Sequence, residues 1–325
     1  MNDELTTLDD VVAALRSLHR WRESNEIHPL AGGVSALVAL VEGDDEEWIV
    51  KVPLGQLTVS DEWLASRERG ANEAEVLRLL DGRLGPVRTP RLLFFDPTFV
   101  LMGVEYVRPP ALNYKEELLA GRVHADAARR VGEALGVLHG LVAPDSLAGP
   151  GPRQLFDELR LDPYYRMTAQ RRPELREPLM ALVEETAATR LSLVHGDLSP
   201  KNILLTQSEP VLLDWEVIHV GDPAFDRGMM AAHLLLKICY HGVRDAAHPL
   251  VGALAGFWDA YRGPAPEEHS LAHLGGVALA RLYGKSPVDY LRDEAARERA
   301  HRLAVEALTG AARTMASLIE AVTSE

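Results

Sequence analysis

The stretch "LVHGDLSPKNILL", residues 193–205, sets a histidine, a carboxylate, a lysine and an amide between two aliphatic runs that read as buried strands. Asp197 and Asn202 stand five residues apart across "DLSPKN", a turn stiffened by the fixed φ of Pro200. A carboxylate there can accept the proton of an attacking hydroxyl, and an amide oxygen five residues on can hold Mg2+. An Asx-rich connecting turn would show the same D-x4-N spacing. His195-Gly196 before it and "ILL" after it favour a reactive loop.

Further along the chain, "VLLDWEVIHVGDP" (211–223) puts Asp214 at the end of an apolar strand, where sheets present ligands. Glu216 shares that side if the chain stays extended. Asp214, Asn202 and Glu216 together would supply the hard oxygens that Mg2+ needs when it bridges phosphates. Asp222, just before Pro223, fits a helix N-cap.

Toward the N-terminus, "LAGGVSA" (30–36) lies between two predicted strands. Gly32 and Gly33 would let backbone N–H groups approach phosphate oxygens, and Ser35 could add a hydroxyl. A two-glycine turn alone is weak, and no GxxxxGK[ST] loop occurs in the chain. Lys51, in the apolar strand "WIVKVP", reads by pattern as exposed on an edge. A facing carboxylate would instead make it a phosphate-binding group, and Glu73 and Glu75 on the next helix are placed to supply one.

Length and composition bound these readings. At 325 residues the chain suggests two domains, and 47% hydrophobic with 25% charged residues is a globular balance. A net charge of −14 lacks the basic face a nucleic-acid binder needs, and most of it serves solubility. The longest apolar runs, such as Ala31–Val41, are interrupted and fall short of the ~20 residues of a membrane span. The acidic start resembles neither a secretory nor a transit leader, and the single Cys239 excludes an internal disulfide. The expected location is the cytoplasm, with no membrane and no nucleic-acid partner.

The pattern predicts an α+β chain. A helix over 8–19 precedes five antiparallel strands within 22–107, with a helix over 71–84 inserted. The prolines of "RPPALN" break the texture, giving domains 1–107 and 108–325. Helices are predicted over 114–121, 124–142, 173–188, 223–240, 249–262, 270–283 and 289–322, and two short strand pairs over 191–217. "PDSLAGPGPR" (144–153) reads as a turn-rich connector.

"LAGGVSA", Lys51, Glu73, "LVHGDLSPKNILL" and "LLDWE…GDPAFD", in that order, resemble the aminoglycoside phosphotransferase and choline kinase superfamily over residues 27–240. The resemblance implies a bilobal protein-kinase-like fold, with a small five-stranded antiparallel N-lobe plus helix and a larger, mainly helical C-lobe. It implies ATP and Mg2+ as cofactors, and transfer of the γ-phosphate to a hydroxyl of a small molecule. By position, Asp197 would be the catalytic base, Asn202 and Asp214 metal ligands, and Lys51 a phosphate contact paired to Glu73. Glu105–Val107 would be the hinge that bonds adenine. The first lobe is most similar to 5-methylthioribose kinases in "VKVPLGQLTVSDEWLASRERGANEAEVL", which carries Trp63, and in "FFDPTFVLMGVEYVRPP"; in the helical lobe "LRLDPYYR" and Asp214-x-Glu216 resemble them too. Asn202 in "SPKN" departs from them toward the aminoglycoside enzymes.

In such a fold the acceptor would meet Asp162, Tyr164, Tyr165, Arg166, Glu216, His219, His233, Arg281, Tyr283 or Lys285. Arg281 and Lys285, four apart, would share a helical face and grip an anionic group, or simply pair with surface acids. His269 and His273 have metal-ligand spacing, but with no third ligand evident a solvated face is the better reading. The expected protein is a monomer or homodimer. A bacterial protein kinase and a nucleotide-binding pseudokinase are the alternatives. No "APE"-like segment follows "DWE", which counts against the first; Lys51, Asp197 and Asp214 are all present, which counts against the second.

Overall fold

The computed structural model describes residues 5–30, 35–44, 46–55 and 66–324; Gly32, Gly33 and Trp63 lie outside them. The chain forms two compact units, one of Met1–Asp81 with Thr89–Pro109 and one of Gly82–Arg88 with Pro110–Glu325.

In the first unit, α1 (Leu8–Ser17) begins on a capping box in which Thr7 and Asp10 satisfy each other's backbone N–H groups. The strands are β1 (Glu26–Pro29), β2 (Ala36–Glu42), β3 (Glu47–Pro53), β4 (Leu92–Asp96) and β5 (Leu101–Glu105), with α2 (Arg69–Leu80) between β3 and β4. They form one antiparallel sheet in the order β1-β2-β3-β5-β4. Alternation along β2 and β3 turns Ala39, Val41, Trp48, Val50 and Val52 inward, where they pack with Val11 and Leu15 of α1. Each valine or leucine among them stabilises the unit by about 1.5–3 kcal/mol when fully buried.

The second unit is built from helices around a short β-rich insert. Its helices are α3 (Tyr114–Leu119), α4 (Ala125–His139), α5 (Asp145–Ala148), α6 (Pro150–Phe156), a wide-turned π-type helix (Asp157–Arg166), α7 (Met167–Arg171), α8 (Arg176–Ala188), α9 (Pro223–Tyr240), α10 (Pro249–Ala260), α11 (Glu267–Tyr283), α12 (Glu294–Leu308) and α13 (Met315–Thr323). The strands are β6 (Leu112–Asn113), β7 (Ser192–Val194), β8 (Ile203–Leu205), β9 (Pro210–Leu212) and β10 (His219–Gly221). β7 pairs with β10, and β8 lies between β6 and β9. The centre is α9, almost wholly buried, against which α11 and α10 pack.

Three expectations need correction. Residues 144–153 are not a connector: Pro150 occupies a first-turn position where its missing N–H costs nothing, so proline starts α6 there. The continuous helix over 289–322 is two helices, because Gly310 takes φ +74° and ends the first. Lys285 does not share a helical face with Arg281, since α11 stops at Tyr283 and Gly284 caps it.

Candidate active site

In the first unit Lys51 is buried on β3, opposite Val38 and Met102 in register, so the exposed-edge reading fails. Its Nζ lies 2.9 Å from Glu73 Oε1 and 2.7 Å from Oε2, and the carboxylate comes from a buried turn of α2. This carboxylate offsets the desolvation of a lysine on a strand interior. Glu75 is only half-buried. The Ser35 carbonyl accepts from Leu54 N–H at 2.9 Å and from Arg69 Nη2 at 2.6 Å, which fixes the entry to β2. Glu105 ends β5, where its N–H donates to Arg91 O (2.9 Å) and its carboxylate accepts from Arg91 N–H (3.1 Å). Val107 is buried two residues on.

In the second unit the loop between β7 and β8 carries Asp197, only 2% exposed. Gly196 precedes it with φ +77°, and a Cβ there would lie 2.9 Å from Val217 O, so the loop's path demands glycine. Asp197 Oδ2 accepts from Asn202 Nδ2 at 2.8 Å and from Lys201 Nζ at 2.9 Å. Its Oδ1 lies 3.1 Å from Arg160 Nη2, yet accepts no hydrogen bond among the described residues. Burial alone would raise this carboxyl's pKa; the Arg160 and Lys201 charges outweigh it and hold the pKa below its ordinary value. The group is therefore an anion at neutral pH, its Oδ1 facing the Arg160 guanidinium and its Oδ2 hydrogen-bonded.

A second carboxylate holds the loop still. Asp226, fully buried in the first turn of α9, accepts from His195 N–H (2.7 Å) and Gly196 N–H (2.9 Å) and lies 3.3 Å from His139 Nε2. Arg160 Nε donates to Gly196 O at 2.7 Å from the π-type helix. His195 Nδ1 accepts from Asp197 N–H (3.2 Å) while its Nε2 faces Leu213 O (3.2 Å), a pattern that fits one neutral tautomer. Burial lowers its pKa in the same sense. His195 thus braces the loop.

Asn202 sits at the start of β8, and its carbonyl accepts from Leu213 N–H at 2.9 Å, which brings it beside Asp214. Asp214 has φ +65°, a conformation uncommon for a non-glycine residue and concentrated at functional sites. The chain does not stay extended after it: Ile218 N–H bonds Trp215 O in a turn. Glu216 is buried in that turn, and its charge, like that of Asp214, acts on Arg160.

The acceptor candidates divide. Tyr164 has the Arg160 guanidinium 5.8 Å and that of Arg281 6.0 Å from its ring centre, and Arg160 in turn pairs with Asp197. His233 is buried on α9, and burial with the Lys237, Arg281 and Lys201 charges drives it neutral. Tyr165 is core, bonded to His273 Nδ1 at 2.7 Å. Arg166 is committed to a bidentate pair with Asp157 at 2.8 Å. His219 stacks on Phe156 and lines a separate cavity of about 250 Å³ with Arg153 and Arg190; it has no described polar contact with Asp197. Lys285 N–H is bonded to Pro163 O.

Sequence reasoning missed Arg160 and Lys237, and read Asp226 of "GDPAFD" as structural. Lys237 is fully buried with Nζ 3.3 Å from Tyr290 OH, and burial, aided by Arg281 and Lys115, pushes its pKa down to about 7. Asp226 carried a signal, since it follows the Asp222 cap by one helical turn and so points back beneath the loop. Arg160 carried none in its spacing.

Among the described residues no helix is long and apolar enough to cross a membrane. A methylthioribose kinase from Escherichia coli is 25% identical over 66% of this chain and 58% of its own length, so the chain spans less than two thirds of that relative. Choline kinase LicA from Streptococcus pneumoniae superposes with a TM-score of 0.55 at 15% identity, over 93% of this chain and 99% of that one. LicA in complex with AMP gives 0.50 at 16% identity, over 93% and 98%. These likenesses establish a kinase-like phosphotransferase fold. The profile of the phosphotransferase enzyme family matches residues 26–269, and the chain belongs to that family.

Proposed function

We propose that the protein is an ATP- and Mg2+-dependent phosphotransferase that moves the γ-phosphate to a hydroxyl of a small molecule. The observation that carries this reading is Asp197, a buried anion whose Oδ1 accepts no hydrogen bond while Oδ2 is fixed by Asn202 and Lys201. Oδ1 is then the acceptor for the substrate hydroxyl, which it orients toward the phosphorus. As the O–P bond forms and the bond to the leaving ADP oxygen breaks, the hydroxyl proton passes to Oδ1. Arg160 keeps Asp197 weakly basic, so the proton moves late.

The residues present fit a magnesium ion: Asp214 offers a carboxylate, and Asn202, its nitrogen spent on Asp197, offers its amide oxygen. Glu216 is the further candidate ligand. When bound, the ion neutralises charge on the phosphates. By the family resemblance Lys51, held by Glu73, would be a phosphate contact, Gly32, Gly33 and Ser35 phosphate-binding residues, and Glu105–Val107 the segment that bonds adenine. Tyr164, Arg281 and His233 would meet the acceptor.

The acceptor is a sugar, a methylthioribose-like metabolite or an aminoglycoside-type antibiotic. The similarity to a methylthioribose kinase puts the first two ahead. The test is ADP release from ATP with a panel of methylthioribose, other sugars, aminoglycosides, choline and homoserine. Release that requires one acceptor supports the reading, whereas ATP binding without turnover across the panel sinks it.

A further inference from the structure

The first turn of α9 and the first half of α11 enclose three groups that phosphoryl transfer leaves unused: Asp222, His269 and His273. The two histidines do not face solvent as expected. His273 is fully buried and the His269 side chain is 15% exposed. Gly228 is the reason: a Cβ there would lie 2.5 Å from His273 Cβ, so only glycine lets α9 and α11 approach this closely.

The third group comes from Asp222, which divides its oxygens. Oδ1 caps α9 by accepting from Ala224 N–H at 2.9 Å. Oδ2 lies 2.6 Å from His269 Nε2 and 3.5 Å from His273 Nε2. One donor atom from each of the three lies within 4.8 Å of the others. The opposite ring nitrogens each meet an oxygen, Tyr165 OH at 2.7 Å from His273 Nδ1 and Glu185 Oε2 at 3.6 Å from His269 Nδ1. Metal-ligating histidines carry outer hydrogen-bond partners that fix tautomer and ring orientation, and the Tyr165 hydroxyl stands at that distance from His273, whereas the Glu185 contact is an electrostatic one. An ion would displace the hydrogen bond between His269 Nε2 and Asp222 Oδ2 at 2.6 Å and the contact of His273 Nε2 with Thr186 Oγ1 at 3.2 Å, and Thr186 keeps its bond to Leu182 O.

We propose that Asp222, His269 and His273 form a three-ligand site for a first-row divalent cation that favours imidazole, with Zn2+ as the type case. Two imidazoles and one carboxylate suit such ions and disfavour Mg2+ and Ca2+, which take oxygen sets. The approach is from the side of Glu185, whose side chain is 64% exposed. An ion here would fasten the first turn of α9 to α11, one helical turn from Asp226 and its grip on the catalytic loop. None of these ligands is assigned to the transfer reaction, so the site stands or falls independently of that activity.

The test uses the tag-free full chain, stripped with chelator and kept in excess Mg2+ to saturate oxygen-only sites. Zn2+ is titrated by calorimetry and Co2+ by visible absorption. The proposal requires uptake of one equivalent, a d–d band of a nitrogen- and oxygen-ligated Co2+, and a higher unfolding temperature with metal. His269→Ala, at a partly exposed position, should abolish that uptake, and Tyr165→Phe should weaken it about 10–100-fold. Circular dichroism of the stripped variant checks its fold; should His269→Ala misfold, His269→Gln serves in its place. Substoichiometric uptake by the parent, or equal uptake by a folded His269 variant, overturns the proposal.

Discussion

Lys51–Glu73 on the sheet unit and Asp197 in the helical unit are both buried ion pairs, but they are built for different ends. Glu73 sets both carboxylate oxygens within 3 Å of one ammonium, at 2.9 and 2.7 Å, and so holds a strand lysine in place. Asp197 divides its oxygens: Oδ2 is bonded to Lys201 and Asn202, while Oδ1 meets Arg160 without accepting a hydrogen bond. Each carboxylate thus has one oxygen, Glu73 Oε2 and Asp197 Oδ1, that meets a cation without accepting a hydrogen bond among the described residues. What differs is the setting: the pair on β3 and α2 positions an ammonium, whereas Asp197 lies in a braced loop among Arg160, Lys201 and Asn202.

The comparison can be broken in four places. The largest effect should come from Lys51→Ala, which takes the ammonium away from the buried Glu73 carboxylate and should cost up to about 3–5 kcal/mol of stability, read by denaturant unfolding. Adding Glu73→Gln should recover much of that stability without restoring use of ATP. Recovery of both would make the pair purely structural.

Asp226→Asn should cost about 1–3 kcal/mol, because one amide oxygen cannot serve both His195 and Gly196 N–H groups. Asp226 also shapes the acid limb of stability. Burial alone would raise its pKa, but the bonds from His139 and Gly196 hold it below the ordinary 3.8. A depressed carboxyl contributes stability that is full above that value and lost as the pH falls through the folded pKa. The acid limb of a stability-versus-pH curve should therefore flatten in Asp226→Asn.

Arg160→Met should move the acid limb of kcat/KM to higher pH, since Arg160 is the foremost charge lowering the Asp197 pKa. Lys201→Ala should move it the same way by less. The Lys201 side chain is 54% exposed, so its pair is worth no more than about 1 kcal/mol. A larger shift from Lys201 than from Arg160 would reverse the assignment of the two cations.

The same contrast explains what the sequence disclosed. Period-two alternation made the sheet legible, because one face of β2 and β3 must be buried. Lys51 could be placed only by finding Glu73 opposite it, which requires knowing how α2 packs. In the helical unit, Asp197 and Asn202 could be proposed from spacing, since a tight turn sets their separation locally, and Asp214 from its place at the end of an apolar strand. Arg160 could not, because it reaches the loop from 36 residues away through a helix of π type. The pair His269 and His273 looked solvated because their third partner, Asp222, is remote in sequence and Gly228, which buries them, has no periodic signature.

The most direct test of the central claim is acceptor-dependent ADP release by Asp197→Asn beside a measurement of its ATP affinity. The substitution keeps the shape of the side chain and removes its capacity to take a proton. The account predicts a loss of turnover of about 10²–10⁴-fold with ATP affinity little changed. Near-normal turnover in the variant would contradict it.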